Sequence, residues 1–399
     1  MALVLASSAA MALGEFMLLV VVNVLILTRT HSAPAVAALW IVPQGATLAT
    51  GTQIGRLTDR WDKRRTLWVS NLVGCILVLG LLATSSVIAI YLVFGLFAVV
   101  DGAFRAAFNP YFRLLVPVSA RLRANAINGA LHSGALVVGP AIAGTLLLTG
   151  HPSLVIEVVA GSLGVSAILL QFVPRLNSDS NPSAVVPSGI RGWWTDLRGV
   201  FTFLRAHRVV AAIFVLFNVG IVFGGTADAQ EVVFAHRALH LGSSGYGLLV
   251  SIAGVGYVLG ATATWLFAKR VPMRGLVGIG AVGAALGYLG YALSPNFFWA
   301  ATGLLGLGIC QAAASTGFSA FIQSALPPQS MGHITSTARS LFAGLTILTT
   351  AGGGFLVGTL GVRIWMVSAT SVMVLVAAIL LAVCLGEPAS GEFDRALTS

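Results

Sequence analysis

Charge is scarce in this chain. Only 9% of its 399 residues are Asp, Glu, Lys or Arg, whereas 57% are hydrophobic and the mean hydropathy is +0.95. This composition excludes an ordinary water-soluble domain. Apolar runs of about 20 residues, long enough to cross a bilayer, recur along the chain. The basic residues lie in short intervals between these runs, so the net charge of +10 does not form the basic face that a nucleic-acid-binding domain needs.

Catalytic signatures are missing as well. The chain has no phosphate-binding G-x-x-x-x-G-K, no G-x-S-x-G nucleophile elbow and no zinc-binding H-E-x-x-H. Its three cysteines, Cys75, Cys310 and Cys384, lie in separate apolar runs without metal-ligand spacing, and we expect them to be core residues. These absences argue against an enzyme, against ATP as the energy source and against a bound metal.

The apolar runs predict membrane-spanning helices in an even number, twelve, which places both termini on one side. Most Lys and Arg residues fall in 56–65, 111–123, 175–207, 268–275 and the C-terminal tail. Because cytoplasmic loops carry the excess of basic residues, we expect a multi-pass protein of the cell inner (cytoplasmic) membrane with both termini cytoplasmic. The predicted spans are 4–28, 35–55, 66–84, 88–110, 124–149, 154–174, 208–229, 244–267, 276–293, 297–322, 334–358 and 364–385.

Two similar stretches occupy corresponding places in the chain: GPAIAGTL at 139–146 and GGFLVGTL at 353–360. They indicate a duplication, with one six-helix half at 1–174 and a pseudo-symmetric second half at 208–385. Such duplication is typical of secondary transporters, whose substrate site lies near the membrane midplane between the halves.

The interval 175–207 is predicted to be a cytoplasmic linker, and 386–399 a cytoplasmic tail. The linker begins with a Ser- and Pro-rich loop. Residues 191–208 then place apolar side chains on one helical face and arginines on another. This amphipathic helix lies either on the anionic lipid surface or beneath the helix bundle.

The segment GRLTDRWDKRR at 55–65 resembles the loop signature of the major facilitator superfamily, G-x-L-x-D-r-x-G-r-r. It stands where that family has it, between the second and third of twelve helices, although Asp62 replaces the usual second glycine. The resemblance implies an all-α integral membrane protein with the major facilitator fold. It also implies a cytoplasmic gate, in which Asp59 sits at a helix N-terminus that favours an anion. The predicted gate residues are Gly55, Asp59, Arg60, Arg64 and Arg339.

A second motif, ALVVGPAIAGTL at 135–146, resembles the antiporter signature g-x-x-x-G-P-x-x-G-G-x-l. Its key positions are Gly139, Pro140 and Gly144. Proline bends a membrane helix, and small residues permit close helix contact. In this superfamily the signature accompanies export in exchange for protons, so the resemblance implies the proton gradient as energy source and no cofactor. The alternative is a tightly packed, kinked helix. Residues 101–117 and 241–261 are also similar to the macrolide-efflux and enterobactin-exporter branch.

Ionisable residues inside the predicted spans are costly and mark functional positions. Asp101 and Arg105 are one helical turn apart and are expected to pair, in either a structural or a functional role. Glu15 has no Lys or Arg within its own span, so we hypothesise that it carries the proton, with Asp101 as the alternative. Asp228, toward the outer end of the seventh span, is expected to be solvated. The candidate proton or substrate residues are Glu15, Asp101, Arg105, Phe108, Asn218, Asp228 and Gln311.

These observations predict a secondary active transporter of the multidrug-efflux type, a class associated with antibiotic resistance. It would export a small amphipathic or cationic compound in exchange for protons by alternating access. One alternative is an exporter or flippase of a physiological cargo such as a siderophore or lysophospholipid. Another is a non-transporting membrane sensor or scaffold on the same fold. The expected partners are a small-molecule substrate, protons and membrane lipids, without nucleic acid, and the chain is expected to be a monomer.

Overall fold

The computed structural model describes residues 1–117, 120–174, 208–267, 271–325 and 328–386. Within these ranges the chain is helical and contains no strand, and twelve of its helices are long and apolar enough to cross a membrane. The predicted linker, with its amphipathic helix, and nearly all of the predicted tail lie outside the described residues. The helices are α1 Ala2–Thr30, α2 Ala33–Arg60, α3 Lys63–Gly80, α4 Val87–Leu115, α5 Arg121–Leu147, α6 Pro152–Gln171, α7 Arg208–Asp228, the short α8 Glu231–Arg237, α9 Ser243–Phe267, α10 Met273–Leu293, α11 Phe297–Ala325, α12 Pro328–Leu360 and α13 Val362–Leu385.

Each predicted span corresponds to one long helix, which confirms the twelve-helix architecture. The largest differences on the N-terminal side are at the ends of α2 and α4, which continue to Arg60 and Leu115 instead of ending near residues 55 and 110. Since α3 begins at Lys63, the predicted loop at 56–65 is helical except at Trp61 and Asp62. No proline interrupts this stretch, so the helix extends beyond the apolar core of the membrane until the turn at Trp61.

The chain divides into two compact units. One comprises Met1–Val185 together with Ala235–Ser251, and the other comprises Val186–Phe234 together with Ile252–Ser399. The segment Ala235–Ser251 thus groups with the first unit, although it follows the seventh span in sequence. It is fastened there by the Arg237 guanidinium, which donates a hydrogen bond to the backbone carbonyl of His31 at the end of α1.

The same pattern of helix pairs occurs within each unit. In the first unit α1 packs against α5 and α6, and α3 packs against α4 and α6. In the second unit α7 packs against α12 and α13, and α10 packs against α11 and α13. The first, third, fourth, fifth and sixth spans of each half therefore have corresponding neighbours, as expected from a duplicated chain.

Hydroxyl side chains join helices inside both units. Ser7 on α1 and Ser166 on α6 are fully buried, and their Oγ atoms are 2.6 Å apart. In the second unit Thr226 on α7 donates a 2.8 Å hydrogen bond to the hydroxyl of Thr349 on α12. Lipid tails offer no hydrogen-bond partners, so hydroxyls in a membrane protein stabilise helix pairs when they bond to each other.

Candidate transport site

A cluster of three charged side chains joins the membrane-spanning parts of α1 and α4. Arg105 lies one turn after Asp101 on α4, and its Nε donates a 2.7 Å hydrogen bond to Asp101 Oδ2. Its Nη2 donates to Glu15 Oε2 on α1 at 2.5 Å. We call Glu15, Asp101 and Arg105 the charged triad. One guanidinium thus binds two carboxylates, so the triad carries one excess negative charge when both acids are ionised.

The pair of Asp101 with Arg105 agrees with the helical spacing. The premise that Glu15 has no cationic neighbour holds only for its own helix, because Arg105 reaches it from α4. The two acids differ in access: the Glu15 side chain is 31% exposed and that of Asp101 is 17% exposed. The second oxygen of Asp101, Oδ1, is buried and accepts no hydrogen bond from the described residues.

Aromatic side chains follow the triad along α4. The ring of Phe108 stacks between those of Phe104 and Phe112, with ring centroids 5.7 and 5.4 Å apart. Phe108, one of the candidate substrate residues, is buried at 7% exposure. A different ring pair lies beside Glu15 in sequence: Phe16 on α1 packs against His132 on α5, with centroids 5.3 Å apart.

The antiporter-like motif on α5 lies at two close helix contacts. A Cβ added to Gly139 would lie 2.9 Å from the Cβ of Phe16 and 3.3 Å from the backbone oxygen of Leu13, both on α1. A Cβ added to Gly144 would lie 3.1 Å from the Cα of Gly247 on α9. Pro140 stands between them inside the helix. The glycines therefore have the packing role that was predicted for small residues at these positions.

In the segment 55–65, Asp62 stabilises the turn between α2 and α3. The Asp62 carboxylate accepts a 2.7 Å hydrogen bond from the backbone N–H of Arg65 and so caps the N-terminus of α3. This explains why an aspartate is accommodated where the family signature has glycine. Lys63 is nearly buried, and its ammonium donates to the carbonyl of Thr58 in the preceding turn.

Among the five predicted gate residues, Arg64 is the one whose side chain is described. Its Nε donates a 3.1 Å hydrogen bond to the carbonyl of Leu170, and its Nη2 donates to the carbonyl of Gln171. These are terminal carbonyls of α6, so Arg64 caps that helix. The backbone places Gly55, Asp59 and Arg60 in the last turns of α2 and Arg339 in α12, and their side chains lie outside the described part.

Asn218 and Gln311, two of the candidates in the second half, approach hydrogen-bond partners on their own helices. The amide of Asn218 donates to the carbonyl of Phe214 one turn earlier at 2.8 Å. Gln311 approaches the hydroxyl of Ser315 on its own helix at 3.4 Å. Both side chains are half-buried.

Asp228 is not a freely solvated residue, contrary to the prediction. The hydroxyl of Tyr288 on α10, which is 1% exposed, donates a 2.5 Å hydrogen bond to Asp228 Oδ1. Glu231 begins the short helix α8 just beyond this span. Burial, together with the nearby Asp228 carboxylate, raises the pKa of Glu231 from 4.5 to about 8. Sequence reasoning missed Tyr288 and Glu231. The one signal in the sequence was the position of Glu231 three residues after Asp228.

The described residues contain no group of three or more His, Cys, Asp or Glu side chains with the arrangement of a metal site. What they contain instead is a charged cluster between two apolar helices of the first unit, α1 and α4. The family model of the Major Facilitator Superfamily matches residues 4–349. The chain belongs to this superfamily. The predicted family is thereby confirmed.

Individual relatives agree with this assignment. YfiS, an uncharacterized MFS-type transporter of Bacillus subtilis (strain 168), is 22% identical over 377 residues, covering 90% of this chain and 87% of the relative. The class C tetracycline resistance protein of Escherichia coli is 26% identical over 269 residues, covering 65% and 66%. The crystal structure of the nucleoside transporter NupG has the same fold, with a TM-score of 0.71 and 14% identity over 96% of this chain and 98% of that one. The protein is therefore a multi-pass membrane transporter and not an enzyme.

Proposed function

We propose that this transporter exports a small amphipathic or cationic compound in exchange for protons. The observation that carries the proposal is the charged triad, in which Glu15 and Asp101 share Arg105. With both acids ionised the triad attracts a cation, and with one acid protonated it is neutral. A cationic substrate and a proton therefore compete for the same excess charge, which couples their opposite movements across the membrane.

Glu15 is the proposed proton carrier, and Asp101 is the alternative. The Glu15 side chain is nearly twice as exposed, at 31% against 17%, which favours exchange of its proton with water. Asp101 is joined to Arg105 within one helix turn. The spacing along α4 therefore keeps this ion pair together even when α1 moves relative to α4. If α1 shifts relative to α4 during transport, the contact of Arg105 with Glu15 is the one that breaks.

Two further observations support export of a drug-like compound. The glycines of the antiporter-like motif lie at close helix contacts, at Phe16 and at Gly247. One relative is a tetracycline resistance protein.

The basic loops support an orientation with both termini in the cytoplasm. Labelling of cysteines introduced at residues 62 and 150, from each side of the membrane in turn, tests this orientation.

The experiment is substrate uptake into inside-out oriented liposomes driven by an imposed pH gradient. A gradient of one pH unit supplies about 1.4 kcal/mol per proton, so exchange of one proton for one monovalent cation sustains about tenfold accumulation. Glu15→Gln mimics the protonated, neutral triad, so the variant should bind a cationic substrate more weakly and lose its accumulation against the gradient while remaining folded. The matched control is Glu157→Gln, which removes an exposed carboxyl from another membrane helix, α6.

The outcomes distinguish the two acids. Accumulation by Glu15→Gln at the wild-type level, with loss in Asp101→Asn, would assign the proton to Asp101. Full accumulation by both variants would overturn the proposed coupling through the triad. A toxic-compound and metabolite screen against a deletion strain then separates a drug-like substrate from a physiological cargo.

A further inference from the structure

A second polar site lies where α3 begins and α6 ends. It is a groove of about 440 Å³, separate in its residues from the charged triad. Because α3 begins and α6 ends at the same surface of the membrane, this groove lies at the boundary between lipid and water. The residues that line it, here called the α3–α6 groove, are Asp62, Arg64, Arg65, Trp68, Leu170 and Gln171.

The wall of the groove is held in place by hydrogen bonds. The Arg64 guanidinium donates hydrogen bonds to the backbone carbonyls of Leu170 and Gln171. The hydroxyl of Tyr111 on α4 donates a 2.7 Å hydrogen bond to the carbonyl of Pro174, just after α6. The end of α6 is thus fixed from two sides, so the groove is preformed.

The charged side chains of the groove differ in how many of their hydrogen-bonding groups are already used. A guanidinium has five N–H donors, and Arg64 uses two of them on α6. The carboxylate of Asp62 is occupied by the backbone N–H of Arg65. The guanidinium of Arg65 is exposed, and among the described residues it has no hydrogen-bond or ion-pair partner. The groove therefore has an excess of unused N–H donors beside a tryptophan.

We propose that the α3–α6 groove binds the phosphate group of an anionic membrane phospholipid. Guanidinium groups suit phosphate because their planar donors match its oxygens. Basic pockets between membrane helices near the surface are sites for anionic headgroups. Trp68 is half-buried beside the arginines, where a tryptophan ring packs at headgroup level. Leu170 is fully buried and contributes its backbone carbonyl, bonded to Arg64, to the wall of the groove.

A lipid, rather than free phosphate, is favoured by this mixture of surfaces. Free phosphate would use only the arginines, and Asp62 repels a phosphate group whether it is free or part of a lipid. A phospholipid adds a contact with the half-buried Trp68 and is present in the membrane at high local concentration. Bound there, it would join α3 to α6 within the first unit and stabilise that end of the bundle.

The test uses the full-length purified protein and phosphatidylglycerol as the probe. Native mass spectrometry measures binding of phosphatidylglycerol against neutral phosphatidylcholine, for the wild type, Arg65→Gln and Arg65→Lys. One surface arginine contributes about fivefold to the binding of an anionic lipid. We expect Arg65→Gln to weaken the tightest phosphatidylglycerol site about fivefold and Arg65→Lys to retain most of the affinity. The matched control is Arg208→Gln, an exposed arginine at the start of α7.

Each outcome decides the proposal. Selective loss in Arg65→Gln, with Arg208→Gln unchanged, supports it. Equal weakening in both variants would mean a general surface-charge effect and would overturn it, as would wild-type affinity in Arg65→Gln. Displacement of phosphatidylglycerol by millimolar inorganic phosphate would show a free-phosphate site instead. Arg65 is exposed, so the variant is expected to fold, and an unchanged thermal midpoint in lipid-free detergent checks this.

Discussion

Gly247 on α9 and Gly144 on α5 meet backbone to backbone. A Cβ added to Gly247 would lie 2.7 Å from the Cα of Gly144 and 2.9 Å from the carbonyl oxygen of Pro140. No side chain can move aside here, because the neighbouring atoms are backbone. The antiporter-like motif on α5 and the start of α9 therefore form one contact that admits only glycine in this conformation.

We predict that Gly247→Ala and Gly144→Leu reduce export before they reduce membrane insertion. Overpacking a tight contact costs roughly 1–3 kcal/mol, enough to depopulate the conformation that contains it. The measurement is the transport rate of each variant at equal expression. Gly134→Ala is the matched control on α5, because a Cβ there meets nothing within 4 Å. If Gly247→Ala transports as fast as Gly134→Ala, the contact is not needed for the cycle.

A second prediction concerns Asp59, which the backbone places at the end of α2. If its carboxylate latches one side of the transporter, as the family signature implies, Asp59→Asn should lower turnover and leave the protein inserted. Thiol labelling of single cysteines on the two faces reports the distribution of states. Arg64→Gln is an informative comparison, because Arg64 caps α6 and its loss should lower thermal stability. Asp59→Asn with wild-type labelling and full turnover would exclude the latch.

The twelve spans could be predicted because the bilayer imposes a minimum apolar length that is visible in composition. Asp101 with Arg105 could be predicted for a similar reason, since helical geometry places residues four apart on one face. The contact of Glu15 with Arg105 could not, because it depends on how α1 packs against α4. The hydrogen bond of Asp228 with Tyr288 joins α7 to α10 and was missed for the same reason.

The turn at Asp62 depends on a local hydrogen bond that a family signature alone does not reveal. A family signature records which residue is usual at a position, and here it has glycine where this chain has Asp62. The structure retains the turn by a different device, the helix cap that Asp62 forms with Arg65. Local hydrogen bonding of this kind is readable from sequence only when the helix start is already known, and the predicted start of α3 was three residues late.

A third prediction follows from Glu231, whose pKa rises from 4.5 to about 8 in the folded protein because of burial and the nearby Asp228. A carboxyl with a raised pKa binds its proton more tightly when folded, so protonation stabilises the fold. This stabilisation is complete below about pH 4.5, decreases through the interval and is lost above about pH 8. The thermal midpoint of wild type relative to Glu231→Gln should therefore fall between pH 5 and 8 and then level off. A difference that does not change with pH would contradict this.

The last prediction concerns the charge balance of the triad. Arg105→Gln leaves Glu15 and Asp101 without their shared cation, whereas Glu15→Gln together with Arg105→Gln removes one charge of each sign. Removing one partner of a charged cluster destabilises a protein more than removing a balanced pair. Because the three side chains are 17–49% exposed, we expect a loss of about 1–3 kcal/mol for Arg105→Gln, between the values for surface and buried pairs. The double variant should recover at least half of the stability that Arg105→Gln loses.

Thermal unfolding of the wild type, both single variants and the double variant gives the coupling energy between Glu15 and Arg105. Additive effects would show that Glu15 and Arg105 do not interact, and the proposed competition between proton and cation would lose its structural basis.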